Sequence, residues 1–396
     1  MSLFTLRLKH RTKVVVGNQI ERFISAQFDR GKGPASRLIS IFSEEAKKIG
    51  LESNILFSPI PIKKSDPDFF LSGELETQYR RLSFSGEDFT ANAGIFSATD
   101  VDVSFPTGVH QVGGHVLSEV MPSPYLLTNP KYYFGLASMP FRKKRLMSEG
   151  ILLSTPWHHN FYHWMIEILP RLISYDRCPN LRCVPLIVPK SAPRFVAESL
   201  RMAGYQSRVI FLDDGVYRFA KLHMLSMLSS THDVSGLAVD WLNRTFAKAP
   251  SRLISPKRVY VSRRDAKIRF VSNESDLTET LSEFGFETLV MSDLTLAEQI
   301  NVFRSAECII GPHGAAFANL AFTKPGSTFM EFFCRGHYAH CFNRIASVGM
   351  VRYGFLVGEP TTIGGFAINP AHLRAILSQA LPTTGAHGEP ASGTSF

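Results

Sequence analysis

Paired cysteines are missing from this sequence of 396 residues: it has five cysteines, an odd number, and no CxxC pair. Disulfide frameworks and zinc fingers both depend on cysteines at paired spacings, so neither class of protein is indicated. An odd, scattered set of thiols is typical of a protein that works in a reducing compartment.

Long apolar runs are missing as well. The first residues, MSLFTLRLKHRTKVVVG, contain no long apolar stretch of the kind that a secretory signal carries. No run elsewhere approaches the ~20 apolar residues that a membrane-spanning helix needs. We therefore expect a cytoplasmic protein, either soluble or peripheral at the inner face of the membrane.

Basic residues are in excess. The 43 Lys and Arg residues outnumber the 34 Asp and Glu residues, which gives a formal net charge of +9. This balance suits an anionic partner such as a nucleotide, a phospholipid surface or a nucleic acid. Because the basic residues are scattered and no DNA- or RNA-binding motif is present, a non-catalytic nucleic-acid-binding protein is an alternative hypothesis and not the leading one.

Strand-like and helix-like segments alternate from residue 151 onward and restart near residue 258, a pattern typical of parallel sheets covered by helices on both faces. We predict an α/β protein with two Rossmann-like lobes and a cleft between them. The predicted parts are an N-terminal mixed region at 1–95, a first lobe at 96–249, a second lobe at 250–381 and a disordered tail at 382–396.

Three helix ends are also predicted from local signals. Asn160 precedes the helical segment FYHWMIEILPRLISY as an N-cap, and Ser292 and Asp293 are cap candidates for the helix LTLAEQINVFRSA. The segment ASRLISIFSEEAKKIG predicts a helix that ends at Gly50.

The stretch IIGPHGAAFANLAF, residues 309–322, places a histidine between glycines at the end of an apolar strand. Gly311 and Gly314 permit a close approach of the backbone to a ligand. A helix that starts near residue 315 would point free N–H groups at that place, and His313 could donate to a diphosphate oxygen. The same pattern also fits a tight βα turn with a partly buried histidine.

Other polar residues of the second lobe surround this turn in the predicted topology. Arg263 ends the strand RVYVSR, where a guanidinium can grip phosphate, and Glu331 interrupts the apolar strand STFMEFF, where it can bond a sugar hydroxyl or form a salt bridge. The further donor-binding candidates are Asn273, Glu274 and Asn319.

The segment WHHNFYHWMIEILPRL supplies the candidates of the first lobe. His163, near the start of the helix, is the candidate general base, and Glu167, one turn on, is the second candidate. Asn160 and Trp164 are acceptor-side candidates, although an aromatic residue at helical spacing also suits a core. Arg171 can pair with Glu167 at i,i+4.

Two patterns that could indicate a metal site have less support in the sequence than the histidine base and the phosphate-binding turn. His159, His163 and Glu167 recur every four residues and could hold zinc in a metal-dependent hydrolase, but there is no H-E-x-x-H motif. The two lobes contain no clear DxD motif, and DVD at 100–102 precedes the regular blocks, where we interpret it as a loop or strand edge.

Three segments, in this order, resemble the family 61 glycosyltransferases: NFYHWMIEILPRL, RVYVSRRDAKIRFVSNESDL and IIGPHGAAFANLAFTKPGSTFMEFF. The resemblance covers roughly residues 150–335. It departs from the family pattern in HGAAFAN, where Ala316 and Phe317 make the turn bulkier.

The resemblance implies a GT-B fold and an inverting transfer from a nucleotide-sugar donor, held mainly by the second lobe, to a glycan or glycolipid acceptor in surface or capsular polysaccharide biosynthesis. Inverting transfer needs a base for the acceptor proton and positive charge for the leaving diphosphate. Arginine, histidine and a helix N-terminus can supply that charge, so we expect no metal cofactor. The basic run at 142–145 and the N-terminal Arg7, Lys9, Arg11 and Lys13 predict peripheral contact with an anionic membrane.

Overall fold

The computed structural model describes residues 38–39, 44–70, 79, 88–117, 136, 138–230, 232–248, 256–362 and 364–381. Within these ranges the chain is a mixed α/β protein with parallel sheet segments, as the sequence predicts. Sixteen strands form two seven-stranded sheets and one two-stranded sheet.

The strands are β1 (Leu38–Ile39), β2 (Glu52–Phe57), β3 (Phe69–Phe70), β4 (Ala93–Phe105), β5 (Val109–Gln111), β6 (Val116–Leu117), β7 (Lys144–Leu152), β8 (Leu186–Pro189), β9 (Val209–Leu212), β10 (Gly215–Leu225), β11 (Arg258–Ser262), β12 (Glu287–Val290), β13 (Cys308–Pro312), β14 (Thr328–Cys334), β15 (Arg352–Pro360) and β16 (Phe366–Ala367). The α-helices are α1 (Glu44–Lys48), α2 (Leu172–Asp176), α3 (Arg194–Met202), α4 (Gly236–Thr245), α5 (Thr278–Glu283), α6 (Leu296–Ser305), α7 (Cys341–Gly349) and α8 (Pro370–Ala380).

The first sheet has the strand order β2-β4-β10-β7-β8-β9, with β5 beside β4. Strands β10, β7, β8 and β9 run parallel, whereas β4 runs antiparallel to both β2 and β10. The sequence predicts β7, β8 and β9, but it does not predict the two longest strands, β4 and β10. Both mix buried and solvent-facing positions, so neither reads as a continuous apolar run.

The second sheet has the order β12-β11-β13-β14-β15-β16, with β3 beside β15. Its first five strands are parallel, and β11, β12, β13 and β14 are all predicted from the sequence. Strand β13 is buried at every position, as expected for a parallel strand covered on both faces.

The N-terminal region contributes to both large sheets, because β2 joins the first and β3 joins the second. Part of the predicted helix before Gly50 is different, because Leu38–Ile39 pairs with Val116–Leu117 as a short strand. Within the described residues, α1 is the helical part of this segment. The sequence also predicts a strand at KVVVG, residues 13–17, and a linker at FAKAPSRLISPK, residues 246–257. That strand, the predicted tail at 382–396 and most of that linker lie outside the described residues.

Two helix caps can be compared with prediction. Asn160 caps its helical stretch as predicted, since its Oδ1 accepts from the backbone N–H of Tyr162 at 2.9 Å. The cap of α6 is Thr295, which forms a capping box with Glu298, so the prediction of Ser292 or Asp293 is wrong. Those two residues instead lie in a 3₁₀ turn, and the helix begins later because only Thr295 has a glutamate three residues on.

The helical stretch after Asn160 is irregular. A π-helix, His163–Ile168, is followed by a 3₁₀ turn, Leu169–Arg171, and then by α2. Pro170 falls in the 3₁₀ turn, where it removes a backbone donor. Single π segments often occur at functional sites because they re-aim side chains.

One hydrophobic cluster contains side chains of both large sheets, including Ile151 and Leu186 of the first and Val259 and Ile309 of the second. The same cluster includes Trp164 of the π-helix. The two sheets are therefore packed together through shared helices. In the described part of the chain, every helix is too short or too polar to cross a bilayer.

Candidate functional site

A cavity of about 280 Å³ lies at the carboxyl ends of the parallel strands of the second sheet. Arg263 and Gly314, which follow β11 and β13, line one side of it. Phe161 and Phe195 line the other side and form an edge-to-face pair with ring centroids 5.2 Å apart. Ligands of open α/β sheets bind at this edge, so the cavity is the natural place for one.

Two glycines shape the turn after β13. A Cβ at Gly311 would lie 2.6 Å from the backbone oxygen of Val261, so no other residue fits there without moving the neighbouring strand. A Cβ at Gly314 would overlap the guanidinium of Arg263. The 3₁₀ helix Ala315–Phe322 begins at this point, and its first residue lines the cavity.

Arg263 is the cation of this cavity. Its pKa is lowered, mainly by burial and then by the charge of Arg269. Its Nη2 donates only a long bond, 3.4 Å, to the backbone oxygen of Ile268, and its buried Nε has no hydrogen-bond partner among the described residues. A partly buried guanidinium with unused donors is suited to binding an anion.

His313 lies at the end of a buried chain of hydrogen bonds. Its Nδ1 bonds the carboxylate of Glu331, which is fully buried on β14. The other carboxylate oxygen accepts from the Tyr353 hydroxyl at 2.8 Å, and Tyr353 accepts from the Tyr79 hydroxyl at 2.7 Å. The carboxylate thus fixes the imidazole and leaves Nε2 as the nitrogen available to a ligand.

His163 and Glu167 form a second histidine–carboxylate pair on the π-helix. His163 Nδ1 lies 2.8 Å from Glu167 Oε2, and the imidazole packs on Trp157 with ring centroids 4.2 Å apart. Burial raises the pKa of the Glu167 carboxyl, and the hydrogen bond from His163 opposes that rise. Arg171, predicted to pair with Glu167, donates instead to backbone oxygens, including that of Leu225 at 3.0 Å.

The two pairs are close to one another. Phe342 of α7 contacts Tyr162 at 5.5 Å and His313 at 5.0 Å between ring centroids. Burial lowers the pKa of His232, and the charges of both His313 and His163 lower it further, whereas Asp233 raises it. His232 therefore lies near both pairs, although no pattern in the sequence points to it.

The other predicted residues fall into two groups. Glu274 accepts from Ser262 at 3.0 Å, and Asn319 donates to Gln299 at 3.1 Å, so each contacts a residue that lines the cavity. Trp164 is fully buried and donates to Ser199 at 2.8 Å.

Asn273 also has a structural contact. It bonds the backbone N–H and the carbonyl of Ile368 with its two polar atoms, at 3.0 and 2.9 Å. The side-chain oxygen of Asn160 accepts the hydrogen bond of the helix cap described above. The structure thus gives Trp164, Asn273 and Asn160 contacts within the fold and places none of them at the cavity wall.

The groups considered for a metal have other contacts. Among the described residues, no three His, Cys, Asp or Glu side chains are placed to hold an ion. His163 uses Nδ1 for Glu167, and His159 lies in the turn before the helix. In the DVD segment, which is part of β4, Asp102 pairs with Arg218 at 2.8 Å and with Lys144 at 2.6 Å.

Residues 161–330 match the family model described as Glycosyltransferase 61. The match begins at Phe161, beside the His163 pair, and covers Arg263 and His313. A search of curated proteins finds no match to the chain. The matched segment, which is less than half of the chain, supports assignment to glycosyltransferase family 61.

Proposed function

We propose that this glycosyltransferase transfers a sugar, with inversion, from a nucleotide-sugar donor to a hydroxyl group of a glycan or glycolipid. The observation that carries the proposal is the two histidine–carboxylate contacts, whose residues do not themselves line the cavity at Arg263 but follow or adjoin residues that do. Phe161 lines the cavity two residues before His163, and Pro312 and Gly314 line it on either side of His313.

His163 is the proposed general base. With Nδ1–H donated to Glu167, its Nε2 has the lone pair that can accept the acceptor's hydroxyl proton. The Glu167 carboxylate then stabilises the imidazolium that forms. Glu167 itself is fully buried behind the histidine, which favours His163 as the group that meets the acceptor.

The donor diphosphate is proposed to bind at Arg263 and the first turn of the 3₁₀ helix at Ala315. As the glycosidic bond breaks, negative charge grows on the leaving phosphate. Arg263, together with the Nε2–H of His313 when that imidazole is protonated against Glu331, is proposed to stabilise this charge. A charged hydrogen-bond network can do this without a divalent cation, so activity is expected to persist in EDTA. A complete loss of activity that Mn²⁺ restores would reject this part of the proposal.

The two sheets are proposed to act as the two lobes of a GT-B enzyme, with the donor on the second sheet and the acceptor on the first. Phe161 and Phe195 come from the first half of the chain and face Arg263 across the cavity, which supports this division of roles. The proposed cellular role is synthesis of a surface or capsular polysaccharide at the cytoplasmic face of a membrane.

Membrane contact is proposed for the segment 141–146. Phe141 is 89% exposed and Leu146 is 80% exposed, and they bracket the basic run. Arg142 and Lys143 are exposed between them, whereas Lys144 is paired with Asp102. Exposed apolar groups beside basic ones suit an anionic lipid surface. The N-terminal basic residues of the same prediction lie outside the described residues.

A thermal-shift screen against nucleoside diphosphates and nucleotide sugars tests the central claim. A ligand at 100 times its Kd adds about 2.7 kcal/mol to the free energy of unfolding, so the right nucleotide should raise the melting temperature clearly. The Arg263→Ala variant is the matched control and should lose the shift. A full panel without any shift in the wild-type protein would contradict the proposal.

A further inference from the structure

A second cavity, of about 260 Å³, lies on the first sheet and shares no lining residue with the cavity at Arg263. Ser97 and His223 form part of its wall, together with Asn54, Asn180 and Lys221. Nothing in the proposed glycosyl transfer uses this cavity.

Three neighbouring strands present a serine, a histidine and a glutamate on one face. Ser97 of β4 lies directly opposite His223 of β10. Glu149 of β7 lies opposite Lys221, two residues before His223, and residues two apart on a strand share a face. Ser97 Oγ is 2.7 Å from His223 Nδ1, and His223 Nε2 is 2.9 Å from Glu149 Oε1.

This order of contacts is that of a nucleophile, a base and a carboxylate that orients the base. When Glu149 accepts from Nε2–H, the Nδ1 lone pair of His223 can accept the proton of the Ser97 hydroxyl. The cavity contains a second potential nucleophile, Cys178, but burial raises the pKa of its thiol and keeps it protonated.

We propose that Ser97 is the nucleophile of a second, hydrolytic centre that cleaves small carboxylic esters, with His223 as general base and Glu149 as the residue that positions it. The amides of Asn54 and Asn180 and the ammonium of Lys221 line the same cavity and are the proposed donors to a developing oxyanion. The Asn54 amide also donates to Cys178 Sγ at 3.7 Å, and the Lys221 ammonium lies 3.4 Å from Glu52. This centre is independent of the glycosyltransferase proposal.

The reaction has two balanced steps. Ser97 Oγ bonds to the ester carbonyl carbon as its proton moves to His223 Nδ1, and the bond to the alcohol oxygen breaks as that proton passes to the leaving alcohol. Water then attacks the acyl-serine, gives a proton to His223, and the carbon–Oγ bond breaks. The proton returns to Ser97, and the products are one alcohol and one carboxylic acid.

The test uses p-nitrophenyl acetate and the full-length protein. We expect release of p-nitrophenolate with transient acetylation of Ser97, detected by peptide mass spectrometry. Ser97→Ala should lower the rate by roughly 10²-fold or more, within the range for loss of acid–base-assisted chemistry. Ser53→Ala, which removes another serine of the same cavity wall, is the matched control and should keep the rate.

Glu149→Gln separates positioning from folding. The amide oxygen can still accept from Nε2–H but carries no charge, so the plateau of the pH–rate profile should fall while nucleotide binding at Arg263 is unchanged. Phenylmethylsulfonyl fluoride should label Ser97 in the wild-type protein, whatever the stability of the variants. Absence of that label, or wild-type ester hydrolysis by folded Ser97→Ala, would overturn the proposal.

Discussion

His163 and Glu167 are one helical turn apart, and they are proposed to act together in one proton transfer. His163→Ala removes the nitrogen that accepts the acceptor's proton, so kcat should fall by roughly 10² to 10⁴. The affinity for the donor should hardly change, because Arg263 and the 3₁₀ helix at Ala315 are untouched. Steady-state kinetics combined with calorimetric titration of the nucleoside diphosphate would measure both quantities.

Glu167→Gln is the control for that experiment. Glutamine retains an oxygen that can accept from His163 Nδ1 but cannot stabilise an imidazolium by charge, so kcat should fall less than in His163→Ala. If Glu167→Gln abolishes turnover while His163→Ala is nearly normal, the base is Glu167. If neither change lowers kcat, the π-helix has only a structural role, and the proposed base mechanism is wrong.

Arg263 is expected to hold the donor diphosphate. Arg263→Ala should weaken binding of the nucleoside diphosphate by about 1.5 to 3 kcal/mol, the range for charged hydrogen bonds, in isothermal titration calorimetry. Gly314→Ala should weaken binding of the nucleoside diphosphate as well, because the added Cβ would push the Arg263 guanidinium out of its position without removing the charge. Unchanged affinity in both variants would show that the phosphates bind elsewhere.

At the level of secondary-structure elements, helix α6 depends on a cap that is four residues before Gln299, one of the cavity-lining residues. Thr295→Ala removes the side-chain oxygen that accepts from the Glu298 backbone N–H, and it should lower the free energy of unfolding by about 1 kcal/mol. Urea denaturation is the measurement. Ser292→Ala is the control: because Ser292 is not the cap, it should leave the stability of α6 unchanged.

In the second sheet the sequence predicts the four strands β11 to β14, whereas in the first sheet it predicts β7, β8 and β9 but not β4 and β10. A strand such as β13 is buried on both faces and shows as an apolar run. Strand β10 alternates partly exposed residues with buried ones and carries the polar Arg218 and His223, so its sequence resembles a loop. Strand β3 has only two residues, and pairing rather than composition makes it a strand.

The candidate site was predictable where local spacing decides contact. His163 and Glu167 are four residues apart, so a helix brings them together. His313 and Glu331 were both candidates, but their contact follows from the adjacency of β13 and β14. Tyr353 reaches Glu331 only because β15 is the next strand, and a single sequence does not reveal strand order.

For the molecule as a whole, the buried histidine His110 should make the free energy of unfolding depend on pH. Burial lowers the pKa of His110 from 6.5 to about 4. Because the folded pKa is below the unfolded one, this stabilisation is fully present above pH 6.5 and is lost as the pH falls towards 4. The loss is about 3 kcal/mol for a shift of this size.

Urea denaturation at several pH values would test this. His110→Leu cannot bind the proton, so its free energy of unfolding should decline less between pH 6.5 and pH 4 than that of the wild-type protein. His372→Leu, at an exposed position, is the control and should follow the wild-type curve. Parallel curves for His110→Leu and the wild type would contradict the assignment.

The exposed segment 141–146 should bind anionic vesicles. Flotation with vesicles containing phosphatidylglycerol is expected to carry the protein at low salt and less of it at high salt, because each lysine or arginine near such a surface contributes about 1 kcal/mol. Phe141→Ser combined with Leu146→Ser should weaken binding at both salt concentrations. Met350→Ser, which removes a different exposed apolar side chain, is the control. No binding of the wild-type protein at low salt rejects the contact.

The hydrogen-bond chain behind His313 joins residues that are far apart in the sequence. Tyr79 and Tyr353 are 274 positions apart, and the segment recognisable as a family 61 glycosyltransferase, residues 161–330, ends one residue before Glu331. A fragment that consisted of that segment alone would keep the residues that match the family model. It would lack Glu331, Tyr353 and Tyr79, the three residues of the hydrogen-bond chain behind His313. The residues that match the family model and the residues that fix the His313 imidazole therefore lie in different parts of this chain. A truncation that kept only the matched segment would remove the contacts of that imidazole.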